Sequence, residues 1–230
     1  MKHVSKGQSP AEFEEWKASA NADWQPTYAS LQNPQKHALH RSLLAEQGWV
    51  CCYCGRRIGQ ADSHIEHFRP QEAHPGLALS YDNLHASCLR DTRPGLPLHC
   101  GHAKGGRFDA DLHLSPLDPR CEDRFVYTLL GEIGPRELGD PRVDYMVDLL
   151  KLDIPFLRNR RQEVLREVFD AEFLGSATQE DLRRLRDGFR TLDVDGQAPD
   201  FGMCWPVLRS SDSTMQSTPE QGAQRIRVPK

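Results

Sequence analysis

The chain has 230 residues, 38% of them hydrophobic and 27% charged, with a formal net charge of −4. That length supports one sizeable domain or two small ones around a buried core, and no run of 18 or more apolar residues is present to cross a membrane. The opening Met1-Lys2-His3-Val4-Ser5-Lys6 leads into polar sequence without the apolar stretch of a signal peptide, so a cytoplasmic location with no membrane partner is expected. Net negative charge also argues against tight, unaided capture of nucleic acid, because neutralising phosphates supplies most of that affinity.

Residues 1–48 read as a helical segment. Ser9-Pro10-Ala11-Glu12 combines an N-cap, a proline at the first helical position and a reciprocal acid, which predicts a helix to about Ala20. Asn33-Pro34 and Gly48 bracket a second helix over roughly 34–47, with Leu39, Leu43 and Leu44 inward. Residues 49–135 form the predicted core. Trp49-Val50-Cys51 reads as a strand entering a knuckle, 64–68 as a strand stopped by Pro70, and 71–82 as loop. Asn83–Leu89 returns as a second strand, a short helix starts near Cys100, and 125–133 reads as a small hairpin. Residues 136–209 are helical. One helix starts at Asp140-Pro141. A second starts at Pro155, with Phe156, Val164, Val168 and Leu174 inward and Gly175 as its cap. A third starts at Thr178. Residues 210–230, rich in Ser, Gln and Thr, read as a mobile tail.

Metal ligands are concentrated. Eight of ten histidines and five of seven cysteines fall between positions 36 and 107, and cysteines in a cytosolic chain point to metal rather than disulfides. Cys51 and Cys54 have the two-residue gap that aims both sulfurs at one ion, and Cys88 and Cys100 complete a tetrahedral structural zinc site. Cys121 or His99 remain alternatives to Cys100. Cys52 faces the core or solvent, and Cys204 is a small buried hydrophobe.

Glu66-His67 carries the chemistry. A neutral imidazole near pH 7 can take a proton from water, which makes His67 the candidate general base. A carboxylate suits a hard divalent ion such as Mg²⁺ or Mn²⁺, which makes Glu66 the first catalytic-metal ligand. Neighbours in a strand point to opposite faces, so the two can share a site only where the strand ends and twists. Asn83 would hold the returning loop or polarise His67. His102 is the candidate second metal ligand, and Arg69, Lys104 and Arg107 are the candidate phosphate contacts. His64 shares the strand face of Glu66 and is a supporting residue that could add a ligand. The same 36–107 window holds nine Lys/Arg against six Asp/Glu, a modest basic patch.

The order Cys-x-Tyr-Cys at 51–54, Ile-Glu-His-Phe-x-Pro at 65–70, Tyr81-x-Asn83-Leu84, Cys88, His99-Cys100 and Lys104-Gly105 resembles the PtuB family of HNH endonucleases, found with retrons and in Septu-type antiphage defence. Lys6-Gly7, Leu43 to Gly48, Pro119-x-Cys121-Glu122 and Asn159-Arg160 extend the resemblance over roughly residues 1–170. It implies an α+β fold with a ββα-metal (His-Me finger) core, stapled by zinc and flanked by helices. It also implies a nuclease acting with an ABC-type ATPase, sometimes beside a retron reverse transcriptase and its RNA–DNA hybrid, with DNA as the expected substrate. Directly after the last cysteine, where the resembled pattern has Asp or Asn as a metal ligand, this chain has Gly101. His102 or Asp109 would have to substitute. That departure keeps open an alternative, a zinc-bound adaptor that binds an ATPase or nucleic acid without cutting.

Overall fold

The computed structural model describes residues 1–169, 173 and 176–202. The tail expected over 210–230, Cys204 and the helix end at Leu174-Gly175 lie outside these residues. Helix α1 (Ala11–Ala18) buries Phe13. Its N-cap is Pro10, one residue after the expected Ser9, and no side chain bonds to it; the Pro10 carbonyl instead accepts from the amides of Phe13 and Glu14, each at 3.1 Å. Helix α2 (Gln35–Glu46) buries Leu39, Leu43 and Leu44, the predicted stripe at helical spacing. It ends where Gly48 turns to a φ of 65°, a left-handed conformation that costs glycine little.

Trp49 follows at a φ of 59°, which breaks the strand expected over Trp49–Cys51. Only a single bridge forms, between Val50 and Arg57. Between them the chain makes a tight turn, with the Gly55 amide on the Cys51 carbonyl at 2.9 Å and the Cys51 amide on the Arg56 carbonyl at 2.8 Å.

Strands β1 (Ser63–His67) and β2 (Leu84–Cys88) pair antiparallel, with Ser63 opposite Cys88, Glu66 opposite His85 and His67 opposite Leu84. Helix α3 (Cys100–Lys104) packs on β2 and completes a ββα unit. Side chains alternate across β1. Ser63 meets α2, its hydroxyl 2.9 Å from His40 Nε2, whereas His64 and Glu66 face Gly101 on α3. The two helices therefore cover opposite faces of one short hairpin.

Beyond this unit, β3 (Phe125–Tyr127) and β4 (Ile133–Pro135) form the expected hairpin. Helix α4 (Pro141–Leu149) is capped by the Asp140 carboxylate, which accepts from the amides of Arg142 and Val143. Helix α5 (Pro155–Val168) departs from its expected face. It buries Leu157, Arg161 and Leu165, while Phe156, Val164 and Val168 are only partly covered. Arg161 sets this rotation, since its buried guanidinium donates to the carbonyls of Gly131 and Leu152. Helix α6 (Gln179–Arg190) opens on a reciprocal Thr178–Asp181 capping box. Among the described residues no helix is long and apolar enough to cross a membrane.

Gln47 fastens α2 to the hairpin. Its side chain accepts from the Ala86 amide at 2.7 Å and donates to the carbonyls of Ala86 and Val50, each at 2.9 Å. Gln47 is buried, so truncation strands polar groups away from water. Gln47→Ala should lower unfolding stability by about 1–3 kcal/mol, measured by urea denaturation; a change below the resolution of that measurement would contradict this role.

Candidate active site

The cysteine cluster draws on three separated segments. Cys51 and Cys54 sit on the knuckle turn, Cys88 ends β2 and Cys100 begins α3. Their four sulfurs lie within 4.8 Å of one another, all buried, and among the described residues this is the one group of three or more His, Cys, Asp or Glu that could hold an ion. Cys54 and Cys88 are 3.7 Å apart, sulfur to sulfur. A tetrahedral ion with metal–sulfur bonds of about 2.3 Å has sulfur–sulfur edges of about 3.8 Å, so the set fits such an ion with small shifts. The Cys88 amide donates to Cys51 Sγ at 3.4 Å.

The other candidates stand outside the cluster. Cys121 lies against the Pro116 carbonyl, and burial pushes its thiol up to about 12. Cys52 is buried, and burial likewise holds its thiol well above the ordinary range. His99 does not replace Cys100 but adjoins it, with Nδ1 3.1 Å from Cys100 Sγ and 3.5 Å from Cys88 Sγ.

Glu66 is buried beside a cation. Lys104 Nζ lies 2.7 Å from Oε1, Tyr53 donates its hydroxyl to the same oxygen at 3.3 Å, and His64 Nε2 is 3.4 Å from Oε2. Burial alone would raise the carboxyl pKa, but the His64 bond and the Lys104 charge outweigh it and hold the group below its ordinary value. Burial works against protonating His64 as well, and its bond to Glu66 more than compensates.

His67 points to the other side of the strand. Its ring meets Tyr28 edge-on at 4.4 Å between centroids, and Nε2 lies 3.0 Å from the Ala78 carbonyl oxygen. A carbonyl can only accept, so Nε2 carries the proton and Nδ1 offers a lone pair. Burial lowers the His67 pKa, which keeps the ring neutral near pH 7. The side-chain hydrogen bonds of Asn83 go to backbone groups rather than to the ring. Its Oδ1 accepts from the Arg69 amide at 2.8 Å, and its Nδ2 donates to the carbonyls of Arg69 at 3.0 Å and Leu77 at 3.1 Å. These bonds tie Arg69 to Leu77, next to Ala78.

Several of the remaining site candidates are engaged within the fold. Lys104 is buried, with Nζ on Glu66 and the His67 carbonyl, so its ammonium is not presented to a phosphate. Arg107 folds back onto the carbonyls of Ala103, Lys104 and Leu149, closing the end of α3. His102 Nε2 is bonded to the Leu89 carbonyl at 2.7 Å. The Asp109 carboxylate caps a local turn, accepting from Asp111 and Leu112. Arg69 remains exposed, its guanidinium over the Phe108 ring. Lys36 and Arg90 also line a polar cleft, with Tyr28, His40 and His64. No short motif marks them, because they come from α2 and from the loop after β2.

No family model matches the chain. It is 26% identical over 161 residues, 67% of this chain and 75% of the other, to a protein of Vibrio cholerae serotype O1 biovar El Tor named "Retron Vc95 putative HNH endonuclease". That likeness, the ββα arrangement and the buried cysteine cluster are consistent with an HNH-like, metal-binding, nuclease-like fold.

The cluster generates a direct test. Cys54→Ser should lower bound zinc from one equivalent to well under half, measured by elemental analysis after dialysis, and should unfold the ββα unit. Full zinc retention in that variant, or no zinc in the parent chain, would contradict the assignment.

Proposed function

We propose that the chain is a metal-dependent HNH endonuclease that hydrolyses phosphodiester bonds, with DNA as substrate. One observation carries this reading: His67 is held by the Ala78 carbonyl with Nδ1 bare, one residue from a carboxylate kept ionised in a buried site. Hydrolysis needs a base to take a proton from water and an anionic ligand for a cation.

Zinc in the four cysteines would be structural, and Glu66 would hold Mg²⁺ or Mn²⁺. When bound, that divalent ion would supply charge to the scissile phosphate and the departing oxygen. His67 Nδ1 takes the proton of the attacking water, and the Ala78 carbonyl stabilises the imidazolium that results. Asn83 keeps the loop closed, so the ring cannot turn. Tyr53 and Lys104 fix the Glu66 carboxylate through Oε1, which leaves Oε2, beside His64 Nε2, to serve. Exposed Arg69, with Lys36 and Arg90 on the adjoining cleft, would meet the phosphate backbone.

With Lys104 buried and Arg107 turned inward, few cations remain for capture of a polyanion. We therefore assign binding and activation to a complex with an ABC-type ATPase, in an antiphage system that can include a retron reverse transcriptase and its RNA–DNA hybrid. The retron in the relative's name supports that setting. A zinc-bound adaptor that does not cut is the competing reading, favoured by the Lys104–Glu66 ion pair.

The deciding experiment is cleavage of DNA by the chain with its genomic-neighbour ATPase and Mn²⁺, comparing the parent with His67→Ala. Loss of about 100-fold or more in rate is expected, with zinc content unchanged. No cleavage by the parent in any such mixture would favour the adaptor. Burial lowers the His67 pKa from its ordinary 6.5, and a base acts only when unprotonated. The acid limb of the rate profile should therefore fall below pH 6.5; a limb well above that value would exclude His67.

A further inference from the structure

The start of α3 brings a glycine, not a ligand, against Glu66. A Cβ on Gly101 would collide with Glu66 Oε2 and lie 2.7 Å from His64 Nε2. Any side chain at 101 would therefore have to displace the pair. The space a ligand from α3 would use is filled from β1 instead, by the residue two positions before Glu66 on the same strand face.

The orientation of His64 is fixed from behind. Its Nδ1 lies 2.8 Å from the Leu89 carbonyl oxygen, which can only accept, so Nδ1 carries a proton and Nε2 is the atom left to coordinate. This is the arrangement of metal-binding histidines, whose second nitrogen donates to a carbonyl or carboxylate that sets the tautomer. Glu66 is divided in the same way. Oε1 is taken by Lys104 and Tyr53, and Oε2 faces His64 Nε2 at 3.4 Å. Bonds of about 2.1 Å from one ion to a nitrogen and an oxygen at neighbouring positions separate those atoms by roughly 3.0–3.4 Å. The gap matches.

We propose that His64 Nε2 and Glu66 Oε2 together hold the catalytic divalent ion, His64 serving as the ligand that position 101 cannot supply. This assignment rests on the nuclease reading for what the ion does, though not for where it binds. A first-row transition ion such as Mn²⁺ accepts an imidazole ligand more readily than Mg²⁺, which favours all-oxygen coordination. A proton on Nε2 is the competing occupant, and the pair is then an ordinary histidine–carboxylate ion pair. His102 lies beside His64, with ring centroids 4.6 Å apart and the planes tilted by 56°, but its Nε2 is bonded to Leu89. It supports the site rather than ligating the ion.

Pulsed electron paramagnetic resonance of the full chain, loaded with zinc and then one equivalent of Mn²⁺, tests this without relying on activity. The parent should show nitrogen hyperfine coupling from one imidazole. His102→Gln should keep that coupling, and His64→Gln should lose it and bind Mn²⁺ at least tenfold more weakly, with Mg²⁺ affinity changed less than threefold. Absence of nitrogen coupling in the parent, or its loss in His102→Gln, overturns the assignment; neither outcome depends on whether His64→Gln folds. Coupling that follows His64 in a chain that cuts no nucleic acid would keep the ligand and retire the nuclease. Parental cutting rates by His64→Gln would do the reverse.

Discussion

Closure of four cysteines at one point is the constraint on which the rest of the site depends. A hairpin of two five-residue strands and a five-residue helix are both too short to persist alone in water. The cluster ties the knuckle turn, the end of β2 and the start of α3 together, so the loop from Leu89 to His99 need only span a fixed gap. Structural zinc contributes on the order of 10–16 kcal/mol to small metal domains, comparable to the whole net stability of a typical fold. The same closure places α3 against Glu66. Cys100 starts α3, Gly101 follows it over Glu66, and Ser87, beside Cys88, accepts the Gly101 amide at 3.2 Å.

The strand end divides the work between its faces. Toward α3, Glu66 is buried among Tyr53, His64 and Lys104, a set that keeps it charged and oriented. A carboxylate in such a place would be costly without these partners. Toward Tyr28 and the 69–83 loop, His67 is kept neutral by burial and fixed by one backbone carbonyl. Lys104 spans the two sides, since its ammonium contacts Glu66 Oε1 and the His67 carbonyl. Any shift of α3 therefore moves both groups.

Much of this was legible in the chain, because ligand spacing and helix signals are local. The Cys51–Cys54 pair, the leucines of α2, the Asp140 cap and the Thr178 start are each written in a few neighbouring residues. What escaped depends on contacts distant in sequence or on the backbone. The Ala78 carbonyl on His67 has no side-chain signature. Tyr28 reaches the ring from a separate segment, and Arg161 turned α5 through carbonyls of Gly131 and Leu152. Lys104 reads as a surface cation until the burial of its neighbour is known, and Trp49 reads as strand until its left-handed φ is seen. His64 was undervalued for a related reason: only the fold shows that it faces the glycine where a ligand was sought.

The central claim is a division between two ions, one held by thiolates for structure and one held at Glu66 for chemistry. Diffraction from crystals of the full chain grown with Mn²⁺, with anomalous data collected at the zinc and manganese edges, tests it most directly. The account predicts a zinc peak among the sulfurs of Cys51, Cys54, Cys88 and Cys100, and a separate manganese peak against Glu66 Oε2. A single peak shared by both edges, or manganese bound elsewhere with Glu66 still closed on Lys104, would contradict it.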